Sequence, residues 1–164
     1  MTYWRLAFLG LITFSAVACT KGPQEQARDK LVGEMGVPWA PGNFLEAAKN
    51  GKNDVVTLFL VGGIDSETTD GQGLTALILA THQGHADTVK VLLDNGADPN
   101  HTDTSGKTAL IWACEDDHVG VAMALLAKGV NVNVKAVDGT TALSAANKRG
   151  DADLAKLLAT NGAT

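Results

Sequence analysis

Residues 79–87 read Leu-Ala-Thr-His-Gln-Gly-His-Ala-Asp, with His82 and His85 three apart and Asp87 two further on. Imidazole and carboxylate groups at short spacing are zinc-type ligands, but a site needs three or four of them converging on one ion. A second grouping, Glu115-Asp116-Asp117, offers adjacent carboxylates, which serve general acid–base chemistry only when one is desolvated in a pocket. The thiols are Cys19 and Cys114 alone. Whether any of these groups converge depends on the elements that carry them.

Those elements repeat. Gly73-Leu-Thr-Ala-Leu, Gly106-Lys-Thr-Ala-Leu and Gly139-Thr-Thr-Ala-Leu follow one another at 33-residue steps. The same step links Ala80, Ala113 and Ala146, then Leu92, Leu125 and Leu158, then Gly96, Gly129 and Gly162. One step earlier stand Phe44, Ala47, Gly51, Phe59 and Gly63. A fixed period of this length means stacked supersecondary units. Within a unit, Thr75 is placed to cap a helix presenting Leu77, Ala80 and Thr81, and Gly84 supplies a left-handed reversal. A second helix, residues 86–95, puts Val89, Leu92 and Leu93 on one side, and Gly96 ends it before an exposed loop over residues 97–100. Neither helix can bury its apolar stripe alone, so stability must come from stacking.

Gly73, Thr75, Leu77, Ala80, Gly84, His85, Leu92, Leu93, Gly96, Ala97, Asp98 and Asn100, most of them repeated in later units, resemble the ankyrin repeat. The resemblance implies an all-α solenoid of about four helix-turn-helix units with short hairpin loops, over residues 37–69, 70–102, 103–135 and 136–164. Ala76, Ala109 and Ala142 replace that family's Pro, and Ile78, Ile111 and Ser144 its His, which should cost each unit some stability. The first unit lacks the Thr and the fourth stops before its hairpin, a pattern expected of end units.

In this register His82 and His85 are parted by a chain reversal. The equivalents of His82 are Lys49, Glu115 and Lys148, so no ligand recurs there, while His118 matches His85 at a turn where its ring should bond backbone. The chain has no Gly-x-Ser-x-Gly, His-Glu-x-x-His, phosphate loop or Cys-x-x-Cys. No enzyme activity, metal or cofactor is expected, and Cys114, in Leu-Ile-Trp-Ala-Cys, reads as a buried, inert thiol.

The first residues read as an export signal. Arg5 precedes an uncharged apolar run, Leu6 to Val17, too short for an ordinary membrane-spanning helix. Ala16-Val17-Ala18-Cys19 resembles a bacterial lipobox, with Ala16 where Leu is usual. That resemblance implies removal of residues 1–18 and acylation of Cys19. An ordinary signal cut after Ala18 is the alternative, leaving Cys19 as a terminal thiol. Thr20 after the Cys, by resemblance to lipoprotein sorting signals, implies the outer membrane; either way the mature chain is expected in the periplasm. Residues 19–36, polar and rich in Gly, Gln and mixed charge, read as a flexible tether with a short helical patch near 24–31, and the domain as residues 37–164.

A net charge of −5 without basic runs argues against nucleic acid. The ankyrin resemblance instead implies a protein partner in the concave groove between hairpin tips and first-helix ends. The groove places are Trp39, Lys49 and Asn50 in the first unit and Gln72, Leu74, His82 and Gln83 in the second. The third offers Ser105, Lys107, Trp112, Glu115 and Asp116, and the fourth Asp138, Thr140, Lys148 and Arg149. The helix-end pairs alternate basic, neutral, acidic and basic, and Trp39 and Trp112 are candidate aromatic anchors. The expected function is a monomeric, envelope-tethered protein-binding module, such as an inhibitor or immunity protein of an enzyme. The alternative is an assembly scaffold that regulates no activity.

Overall fold

A computed structural model describes residues 21–164; the stretch read as an export signal, residues 1–18, and Cys19 lie outside the described residues. Four helix pairs stack in sequence order: α2 (Pro41–Lys49) with α3 (Asn53–Val61), α4 (Ala76–His82) with α5 (Ala86–Asp94), α6 (Ala109–Glu115) with α7 (Val119–Leu126), and α8 (Ala142–Arg149) with α9 (Ala152–Thr160). The first helix of each pair packs on the first helix of the next, forming an inner layer, and α3, α5 and α7 form an outer one. One continuous apolar core runs through the stack, from Phe44 and Phe59 through Leu77, Leu92, Leu110 and Leu125 to Leu158. Among the described residues no helix is long and apolar enough to cross a membrane.

The helix starts are set by threonine. Ile78 N–H donates to Thr75 Oγ1 (3.3 Å) and Ile111 N–H to Thr108 Oγ1 (3.4 Å), each satisfying one of the amides a helix start leaves free. In the fourth unit Ser144 N–H donates to Thr141 Oγ1 (3.2 Å) and Thr141 N–H donates back to Ser144 Oγ (2.8 Å). This reciprocal cap means that Ser144, expected to cost the fourth unit a side-chain bond, supplies one. The first unit, lacking the Thr, starts its helix earlier, with Pro41 in the first turn, where a missing N–H costs nothing.

Units are tied together by side chains reaching backbone. His85 Nε2 lies 3.1 Å from the Lys49 carbonyl oxygen and His118 Nε2 3.1 Å from that of His82, one unit back in each case. On the opposite edge the amides of Asp98, Asn131 and Thr164 donate to Glu67 Oε1 (2.9 Å), Asn100 Oδ1 (2.8 Å) and Asn133 Oδ1 (3.0 Å). Each of these acceptors stands 31 residues before its donor, so one rung recurs at every junction.

The histidine ring also explains the glycine beneath it. Gly51 and Gly84 have φ of 66° and 72°, and a Cβ on either would stand 2.9 or 2.8 Å from the ring of the next unit's His85 or His118. At the third turn the equivalent residue is Asp117, the single described non-glycine with positive φ, at 65°. The next unit has Asp151 where a His would sit, so no ring occupies the space that the Asp117 side chain needs. The left-handed strain remains, and Arg149 Nη2, 3.6 Å from Asp117 Oδ2, offsets little of it at an exposed site. Asp117→Gly is expected to stabilise the fold by about 0.5–1 kcal/mol in urea unfolding. A lowered midpoint would mean that the pair with Arg149 outweighs the strain.

The segment expected to be a tether is structured. Helix α1 (Pro23–Asp29) runs into one turn of π-helix, Lys30–Glu34, and both dock on α3. Ala27 and Leu31 are buried in this contact, Leu31 completely. Arg28 Nε donates to the Gly62 carbonyl (2.9 Å), tying the segment to the end of α3. The apolar end face of the first unit needs a cover, and the spacing of Ala27 and Leu31 on one helical face provides it.

Candidate binding groove

Hairpin tips stand over the inner helices. Asp70 Oδ1 accepts the amides of Gln72 (2.8 Å) and Leu74 (3.0 Å), and Asp103 Oδ1 those of Ser105 (2.8 Å) and Lys107 (3.0 Å). Successive tips are joined through backbone, Thr104 N–H to the Gln72 carbonyl (3.1 Å) and Val137 N–H to that of Ser105 (2.9 Å). The groove edge is therefore a hydrogen-bonded rail rather than a row of independent loops.

Five of the expected residues meet at its centre. The His82 ring packs on Trp112 at 4.0 Å between centroids, tilted by 44°, and Lys107 Nζ lies over the indole at 4.3 Å. Lys107 Nζ also donates to both Glu115 oxygens (2.9 and 2.7 Å). His82 Nδ1 is 2.8 Å from Asp116 Oδ2, a close polar contact rather than an aligned hydrogen bond, since that oxygen has no hydrogen-bond partner. The indole Nε1–H donates to Asp103 Oδ2 (2.8 Å). Trp112 is thus half-buried and fixed on three sides, so its side chain has little rotamer freedom left.

Asp103, overlooked in the sequence, is the acceptor that fixes this indole. It is nearly buried, and burial alone would raise its pKa; bonds from Ser105 Oγ, the Lys107 amide, the indole and the Ser105 amide outweigh it and hold the carboxyl below the usual 3.8. A pKa lower folded than unfolded gives stability that is fully present above the unfolded value and lost as pH falls through the folded one. Asp103→Asn leaves one side of the group facing N–H donors with an N–H of its own. It should cost about 1–3 kcal/mol at pH 7 and flatten the loss of stability below about pH 4. An unchanged acid limb in the variant's unfolding curve would contradict this.

Between the third and fourth units lies an open cleft of about 500 Å³ lined by Glu115, Asp138, Thr140, Ser144, Ala145, Lys148 and Arg149. Five of these seven were expected from register; Ser144 and Ala145 on α8 form the remainder and become visible only once α8 is seen to face the cleft. Arg149 Nη1 donates to the Glu115 carbonyl (2.7 Å), and the amide of Thr140, followed by its hydroxyl, holds the Asp138 carboxyl below its ordinary range.

Other expectations are corrected. Trp39 is not in the groove: its ring packs on Phe59 of the outer helix α3 (5.0 Å), under the Arg28 guanidinium (4.7 Å) and against Gly62. It belongs to the end cap, because the chain before Pro41 runs toward α1 and not toward the tips. Lys49 and Asn50 are exposed at the end of α2, and Asn50 lines a separate cleft of about 230 Å³ with Gly36, Pro38 and Asn43. The acidic pair Glu115/Asp116 is not a free charge patch, since Lys107 and His82 engage it. Gln83 and Gln72 are exposed, and Leu74 is half-buried beside the tip. His82 and His85 serve different neighbours, and among the described residues no three His, Cys, Asp or Glu side chains gather to hold a metal. Cys114 is fully buried, its thiol pushed up to about 12 by desolvation, then by Asp151 and Glu115.

The family model for ankyrin repeats, in three copies, matches residues 44–136 and 92–164. The chain is an ankyrin-repeat protein. A search of curated proteins finds no match. Ankyrin repeats are a protein–protein interaction module, no catalytic family is indicated, and the inner face of this ankyrin stack is the surface on which the polar and aromatic groups converge. The His85 and His118 contacts are the junctions of the ankyrin units, which accounts for the histidine-rich stretch as scaffold.

Proposed function

We propose that this ankyrin-repeat protein is tethered in the bacterial envelope and binds one periplasmic or envelope protein through its groove, as an inhibitor or immunity protein of an enzyme. The observation that carries the groove reading is the fixed Trp112 cluster beside the cleft. A half-exposed indole held by Asp103, His82 and Lys107 loses little freedom on binding, which is how hot-spot aromatics contribute affinity. The tether reading rests on the leader pattern and Cys19. With α1 beginning at Pro23, three residues separate an acylated Cys19 from folded chain, a reach of roughly 10–14 Å when extended. The groove would then work close to the membrane rather than at the end of a long flexible arm.

A photo-reactive residue in place of Gln83 or Ser105 should crosslink one protein in cells, whereas one in place of Lys90 or Lys156 on the outer helices should not. Adducts from the outer positions alone would reject the groove. Acyl labelling of the chain, lost in Cys19→Ala, tests the anchor, and absence of label in the parent would favour ordinary export.

One observation favours the scaffold reading. Helix α7 has no charged residue and exposes Val119 (37%) and Met123 (55%), where α5 and α9 place Lys90 and Lys156 in the register of Met123. Crosslinks to a second protein from position 123 would support assembly through both faces.

A further inference from the structure

The cleft between the third and fourth units has an asymmetry of charge that the repeat itself exposes. In the second, third and fourth units a tip residue stands eight positions before a residue of the first helix's last turn: Leu74 and His82, Lys107 and Glu115, Thr140 and Lys148. In the third unit that pair closes on itself, Lys107 Nζ reaching both Glu115 oxygens. In the fourth the helix end carries the cation and the tip offers a neutral hydroxyl, so no carboxylate of the unit pairs with it. Lys148 is exposed and has no ion pair among the described residues.

The other charges around the cleft are engaged. Glu115 is held by Lys107, and Arg149 donates Nη1 to the Glu115 carbonyl (2.7 Å) with Nη2 3.6 Å from Asp117. Asp138 accepts the Thr140 amide (2.8 Å) and remains ionised on the tip side. An incoming anion is therefore repelled from the tip wall and attracted to the wall formed by Lys148 and Arg149. The cleft, at about 500 Å³, is of a size that admits a side chain with its flanking backbone.

We propose that this cleft receives an acidic side chain, Asp or Glu, from a loop of the protein partner, with Lys148 as its counter-ion and Trp112 covered by the neighbouring residues of the loop. The proposal rests on the groove reading and specifies the chemistry that the groove selects. The tip position opposite Lys148 holds Thr140, so the partner completes in the fourth unit the ion pair that the third makes internally. A cation in the last turn of α8 also complements the helix dipole, a role that needs no partner.

The probe is a phage-displayed library of random peptides selected on the full chain. Selected peptides are then measured against the parent, Gln83→Arg, which crowds the groove from an exposed position, and Lys148→Glu. Peptides weakened by Gln83→Arg are the groove binders. They are expected to carry Asp or Glu, to lose about tenfold or more in affinity on Lys148→Glu, and to regain it when that acid is changed to Lys. Unchanged thermal unfolding of Lys148→Glu checks that the fold is intact. Groove binders indifferent to Lys148→Glu would overturn the proposal while leaving the groove reading standing, and Lys148 would be a helix-end charge only. Peptides indifferent to both substitutions would overturn both.

Discussion

Leu31→Ala is expected to destabilise the protein by about 2–4 kcal/mol, and removal of residues 21–36 by more. Leu31 is fully buried against the first unit although it lies outside the repeats. Truncating such a side chain loses its transfer free energy and leaves a cavity that neighbours fill only in part. Deleting the whole segment also removes its packing on α3, and takes away the Arg28 bond to the Gly62 carbonyl and its contact with the Trp39 indole. A solenoid with an uncovered apolar end is prone to fraying and association, so the deleted chain should unfold at lower urea and self-associate. If residues 21–36 were only a tether, both variants would unfold with the parent. Experiments on this domain should therefore begin no later than residue 21; a chain beginning at Gly36 lacks its cap.

The second large effect is expected at Gly84. Gly84→Ala meets two costs at once: φ of 72° disfavours any Cβ, and the new methyl would lie 2.8 Å from the His118 ring. The backbone cost is about 1–2 kcal/mol, and displacing the ring forfeits its 3.1 Å contact with the His82 carbonyl, for a total of roughly 2–4 kcal/mol. The two parts separate in a cycle with His118→Ala. Once the ring is gone, Gly84→Ala should cost only its backbone share, so the double variant should be more stable than the sum by about 1 kcal/mol or more. Strict additivity would show that the ring moves aside freely. At Asp117, with Asp151 following instead of a histidine, Ala should cost less than about 1 kcal/mol. The contrast tests whether the ring dictates glycine at this turn.

Much of the fold was legible because its determinants are local and repeated. Thr75, Thr108 and Thr141 cap helices whose own amides lie three residues away, and Gly84 reverses the chain at its own φ. Leu77, Ala80, Leu92 and their equivalents are buried as their period requires. The junction histidines were legible too, since recurrence at 33 residues fixes their place against the previous unit.

The site was legible as a set of positions and illegible as a set of states. Register alone placed Glu115, Asp138, Thr140, Lys148 and Arg149 along the groove, and folding brings them round one cleft. It could not tell that Glu115 and Asp116 are engaged by Lys107 and His82 while Lys148 has no ion pair among the described residues. Those outcomes turn on side-chain reach across two or three ångströms, which periodicity does not encode. Asp103 escaped notice because its bond to Trp112 joins a tip to a helix nine residues on. Trp39 and residues 23–34 were misplaced for the same reason. Helix α1 is tied to α3 by a contact 34 residues apart, outside the repeat period. By itself the sequence determined the units, their caps, their turns and their shared core, because each of those follows from neighbours along the chain or from the 33-residue step. The tertiary structure decided which end is covered, which tryptophan faces the groove and which charges there are engaged, because each depends on groups that only folding brings together.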